Sequence, residues 1–121
     1  MKLKAPKEWK EVKGIFVGGC VKRGEGSSFR AKAHAHNFTI DPLFGWICVR
    51  SLKRIGIYVL NYDGQFDGEI ITPSNLLWHE YSHILLPNRG HDKIWREKCK
   101  ELNKQFNCKI AYSYTKRAKK S

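Results

Sequence analysis

The sequence predicts an α+β domain: a small, mostly antiparallel sheet of three to four strands, packed against a helix that carries the candidate site and a following C-terminal helix. Three observations lead there. Residues 13–60 show period-two alternation and short runs rich in β-formers. After Thr72 the apolar residues recur with helical spacing instead. The connections between the strand-like segments are short, which favours antiparallel pairing. A chain of 121 residues fits one domain, expected over 1–115, with 116–121 as a basic tail.

Residues 1–11 are polar and basic, with Trp9 the only large anchor, and read as a short helix or an arm. Lys13-Gly14-Ile15-Phe16-Val17 reads as a strand ended by Gly18-Gly19, and Arg23 to Ser28 as a turn. Over 29–38, Phe29, Ala31, Ala33 and Ala35 alternate with Arg30, Lys32, His34 and His36, a strand with one buried face. Asp41 to Gly45 breaks it. Trp46 to Arg50 and Ile55 to Leu60 read as further strands, the latter closed by a turn at Asn61-Tyr62-Asp63-Gly64.

Thr72 is placed to cap a helix with Pro73 at its first position. Leu76, Leu77, Ile84 and Leu85 share that helix, and Pro87 must end it. Asp92 suits the start of the next helix, where a carboxylate meets the helix dipole. Trp95, Cys99, Leu102 and Phe106 then form its apolar stripe. Ile110 to Tyr114 reads as a last strand.

The net charge of +12 is uneven. Residues 1–40 hold nine basic against three acidic side chains, 41–88 three against five, and 89–121 eleven against three. Basic ends of this kind attract polyanions, nucleic acid first among them; the alternative is a solubilising, disordered tail. No run of about 18 apolar residues occurs, so no membrane span is expected. The basic start, Met1 to Lys7, has no apolar stretch behind it and does not read as a secretory signal, so a cytoplasmic location is expected. Cys20, Cys48, Cys99 and Cys108 include no Cys-x-x-Cys pair and read as free thiols, some of them core fillers.

The informative stretch is His79-Glu80-Tyr81-Ser82-His83. Residues four apart on a helix differ by about 40° in direction, so both imidazoles project from one face and can grip one Zn²⁺. Glu80 lies about 100° round from His79. There it reaches a zinc-bound water as general base rather than serving as a ligand. A catalytic zinc takes three protein ligands and keeps one position open. The third is His91, after the Pro87-Asn88-Arg89-Gly90 break, or a glutamate of the second helix, Glu97 or Glu101. His91 is favoured because zinc sites use imidazole readily and Gly90 frees the backbone before it. Leu86 and Arg89 stand where the metzincin pattern needs Gly and His, which excludes that class. Asp92 caps its helix or holds a histidine N–H. His34 and His36, two apart on one strand face, fall short of a metal site by themselves and read as a solvated or substrate-facing surface. Tyr81, on the far side of the helix from His79, reads as core.

His79-Glu80-x-x-His83, a break, then His91-Asp92-x-x-Trp95 resembles the SprT-like zinc metallopeptidases over about residues 72–102. Asp92 stands where glycine is common in that family, and no C-terminal cysteine-rich ribbon is present. The size also resembles minimal gluzincin-type peptidases. The resemblance implies zinc held by His79, His83 and His91, Glu80 as base, and a protein or peptide substrate, with DNA-associated proteins suggested by family and charge together. Two other readings remain at the sequence level. One is a nucleic-acid-binding module with a structural zinc; the other is a metal-free helical pair with surface histidines. Oligomeric state is not legible.

Overall fold

A computed structural model describes residues 1–61 and 66–112. Eight strands and two α-helices occur among them: β1 Lys2–Lys4, β2 Val12–Val17, β3 Gly19–Cys20, β4 Gly24–Glu25, β5 Ala33–Ile40, β6 Leu43–Val49, β7 Gly56–Leu60, β8 Phe66–Pro73, α1 Asn75–Leu85 and α2 Lys93–Phe106. Tyr62-Asp63-Gly64 of the expected turn, 113–114 of the expected last strand and the tail 116–121 lie outside the described residues, and 110–112 form no strand.

The architecture is α+β, but the expected sheet of three to four antiparallel strands is wrong. The main sheet has six strands in the order β5-β6-β2-β1-β8-β7, and β3 pairs with β4 in a separate ribbon. The main sheet is mixed: β1 runs parallel to β8, and β2 parallel to β6, while the other pairs are antiparallel. Two missed strands account for the difference. β1 is three residues long with only Leu3 fully buried, too short for alternation to show. β8 alternates correctly, with Gly68 and Ile70 inside and Glu69 and Ile71 outside, but Gly68 interrupts its apolar signal. These two segments join the halves of the sheet.

Residues 1–11 are therefore a central strand and a turn. Trp9 N–H bonds to the Pro6 carbonyl, and the Trp9 ring, 1 % exposed, stacks on Tyr81 at 4.4 Å. The strand expected over 29–38 begins later, at Ala33, and turns at Asp41-Pro42 into β6. One sheet face carries Ile15, Val17, Ala33, Ile47 and Val49 into the core beneath both helices. Burying each of the isoleucine and valine side chains contributes about 1.5–3 kcal/mol. The other face carries a smaller cluster of Phe16, Cys20, Trp46 and Cys48.

Helix α1 starts two residues later than Thr72 would place it. Pro73 ends β8, and Ser74 is the cap, its hydroxyl accepting the Leu77 N–H at 3.3 Å. Ser74→Ala should cost about 1 kcal/mol of stability, read as a lower denaturant midpoint with an unchanged slope. The helix then lies against β5 and β6. Gly45 permits this approach, since a Cβ there would strike the His36 carbonyl and come within 2.8 Å of Ile84 Cδ1. Asn37 Nδ2 donates to the Ile84 carbonyl at 3.0 Å and fixes the helix against the edge strand β5.

Candidate metal centre

Helix α1 presents His79 and His83 on one face, and its sixth residue, Glu80, is buried but lines the clefts beside them. The helix stops at Leu86, whose N–H still bonds to Ser82 O. The chain then reverses through Pro87 to Gly90. Asn88, not Gly90, takes the left-handed conformation that the reversal needs, with φ 60°. Asp92 caps α2, its Oδ1 accepting the Trp95 N–H at 2.9 Å, and its other oxygen pairs with Arg89 at 2.8 Å. Its carboxylate thus serves the helix start.

This reversal carries His91 back to α1. His83 Nε2 lies 3.2 Å from His79 Nε2 and 3.1 Å from His91 Nε2. Among the described residues, these three side chains form a group able to hold a metal ion. The donor set fits: a zinc ion bound by nitrogens at about 2.0–2.1 Å in tetrahedral geometry separates them by about 3.3 Å. Glu97 and Glu101 are exposed on α2, and Glu101 pairs with Lys98 at 3.3 Å; neither belongs to the group.

Trp95 supports all three histidines. Its ring is fully buried, stacks on His83 at 5.6 Å and 12°, and lies 4.3 Å from His91 and 5.3 Å from His79. Its Nε1 donates to Ser82 Oγ at 2.7 Å, and that hydroxyl donates to the His79 carbonyl. Ser82 links the two helices directly behind the site, a role that no sequence spacing signals. Tyr81 is 5 % exposed and donates to Glu11 Oε1 at 2.8 Å, which makes it core.

Burial and the neighbouring imidazoles hold His79 and His83 at about 4, and burial lowers His91 as well. All three rings are neutral at pH 7 and have lone pairs to give. Burial raises Glu80 to about 7. Its Oε2 lies 4.0 Å from His79 Nε2, beyond direct hydrogen-bonding reach.

These shifts set the acid stability of metal-free protein. A histidine whose value falls on folding adds stability above its ordinary 6.5, and that stability is lost as pH falls toward 4. Glu80 has the opposite sign, since its stability is full below 4.5 and lost as pH rises through about 7. The histidines outnumber it. His34 and His36 shift the same way, so the unfolding midpoint of chelator-treated protein should drop steadily from pH 7 to pH 4.5, and a flat profile would contradict the burial of these histidines.

The histidines stand at the junction of two clefts that share Ala33, His79, Glu80 and His91. One, of about 850 Å³, is walled by Lys32, Lys53, Arg54 and Lys109. The other, of about 530 Å³, runs past His34, His36 and Asn37. The smaller cleft follows β5, an edge strand of the sheet, and the larger one meets that strand only at its first residue, Ala33. Cys20 and Cys48, read from sequence only as free thiols, lie with His34 and His36 in a second donor group.

Fold and site together define an α+β domain with a three-histidine donor group beside a sheet edge. No protein family, curated protein or solved structure matches the chain. Among the described residues, no helix is long and apolar enough to cross a membrane.

Proposed function

We propose that this chain is a zinc-dependent metallopeptidase that cleaves extended peptide segments laid along β5. The observation that carries the reading is the convergence of three neutral imidazoles, with His83 Nε2 within 3.2 Å of the Nε2 atoms of His79 and His91, beside a buried carboxylate in an open groove. His79, His83 and His91 would hold the ion. When bound, zinc lowers the pKa of its water toward about 7 and polarises a scissile carbonyl.

The chain's own residues supply the rest. Glu80 is buried beside the three histidines, where its carboxylate can both take and return a proton. It accepts the proton of the attacking water at a carboxylate oxygen and delivers it to the leaving amine. The outer edge of β5 binds the substrate backbone as an added strand. The four basic side chains along the larger cleft favour acidic residues on one side of the cut. Motif order supports the same class, since the two-histidine helix followed by His91 resembles SprT-like metallopeptidases. Action on DNA-associated proteins is the substrate proposal that the basic ends favour. A nucleic-acid module with a saturated structural zinc here is disfavoured, because the group contains three donors and no cysteine.

The test is incubation of zinc-loaded protein with an unfolded protein substrate, with new N-termini read by mass spectrometry. Cleavage should stop with a chelator and return with zinc. Undiminished cleavage by chelator-stripped protein would overturn the reading.

A further inference from the structure

The second donor group sits on the sheet face away from the helices. Alternation along β6 turns Ile47 and Val49 toward the core and leaves Trp46 and Cys48 on the outer face. β5 pairs antiparallel with β6 so that His34 is opposite Cys48, and directly opposite residues share a face. His36, two residues on, points the same way; the two imidazole centroids are 4.4 Å apart. The β3–β4 ribbon folds over this face and brings in Cys20, whose Sγ lies 3.2 Å from His36 Nε2.

One donor atom from each of Cys20, His34, His36 and Cys48 lies within 4.8 Å of every other. A tetrahedral zinc with sulfur at about 2.3 Å and nitrogen at about 2.0–2.1 Å needs its ligands about 3.3–3.8 Å apart. Side-chain movements of under about 1.5 Å close that difference. His34 Nε2 is buried and has no hydrogen-bond partner among the described residues, a costly arrangement for a polar atom unless something else binds it.

We propose that Cys20, His34, His36 and Cys48 bind a second zinc ion in a closed, four-ligand structural site that pins the β3–β4 ribbon to the outer face of the sheet. Two thiolates neutralise the dication, and no position remains for a reactive water, in contrast to the three-histidine group. The site does not depend on the peptidase reading, since none of its ligands belongs to the histidine triad.

The experiment is metal analysis and zinc X-ray absorption on the full chain. Wild-type protein should hold two zinc ions, with an average of one sulfur neighbour per zinc. His79→Ala/His83→Ala should hold one, with two sulfurs at about 2.3 Å and two nitrogens at about 2.0–2.1 Å. Cys20→Ser and Cys48→Ser should each lower the count from two to one. Zinc in wild-type protein with only nitrogen and oxygen neighbours would overturn the proposal even if a variant fails to fold. A Cys20–Cys48 disulfide in zinc-loaded protein would overturn it too. Loss of peptidase activity in every preparation would leave the sulfur shell unchanged, so the two readings fail separately.

Discussion

Glu80→Gln should keep its zinc and lose hydrolysis by about 10²–10⁴-fold, the usual weight of a positioned general base. Glutamine matches glutamate in shape, and Glu80 is no member of the three-histidine donor group, so the ligands should remain in place. What disappears is the group that takes the proton. A second consequence follows from burial. Burial alone raises Glu80 to about 7, so above that pH the folded, metal-free protein carries a buried charge. The penalty is of order 3 kcal/mol, at 1.36 kcal/mol for each unit above 4.5. Glu80→Gln removes it. The metal-free variant should therefore be more stable than metal-free wild type at pH 8, and the gap should close as pH falls toward 4.5. In the zinc-loaded enzyme the dication draws the Glu80 value down, so the acid limb of activity should rise with unit slope at a midpoint below 7. Stability at pH 8 and hydrolysis should thus move in opposite directions, as Glu80 serves the chemistry at the expense of the fold. Full hydrolysis by the variant would end the mechanism.

Trp95→Ala should be the most damaging single substitution near the site. The ring is fully buried, and its removal from the core should cost about 3–5 kcal/mol. It also takes away the wall against which the three imidazoles pack and the bond to Ser82 that ties α2 to α1. Zinc retention should weaken about 10–100-fold, the range for groups that orient metal ligands from outside. Trp95→Phe separates the two roles: it keeps most of the packing and loses the Nε1 hydrogen bond, about 1 kcal/mol. Denaturant midpoints, together with competition against a chelator, measure both effects. Equal losses in the two variants would show that the hydrogen bond, not the packed ring, carries the role.

The helices were legible because each buries one stripe over eleven or more residues, long enough for the spacing of Leu77, Ile84, Trp95, Cys99 and Leu102 to show. The histidine triad was legible for the same reason: His79 and His83 share one helix, and Pro87 forces the reversal that returns His91. The sheet was less so. Leu3 is a single buried residue between two lysines, and its parallel partner, β8, lies more than sixty residues away. Short connections argued for antiparallel pairing, which holds for the three pairs of consecutive strands in this sheet but not for β2 with β6 or β1 with β8, which are distant in sequence and parallel. Thr72 and Pro73 resembled a helix start because Ser74, the actual cap, stands beside them. Of the four-residue Cys/His group only His34 and His36 were legible as a pair on one strand face, and alone they fell short of a metal site. Its donors come from a ribbon and two strands at spacings of 14, 2 and 12, and only their register brings them together.

The most direct test of the account is a crystal structure of the zinc-loaded protein with anomalous scattering at the zinc edge. Besides the ion of the Cys/His group, a zinc should be bound by the Nε2 atoms of His79, His83 and His91 at about 2.0–2.1 Å, with a solvent molecule as fourth ligand facing Glu80. A zinc on His79 and His83 that leaves His91 unbound, or a fourth protein ligand there in place of solvent, would contradict the account.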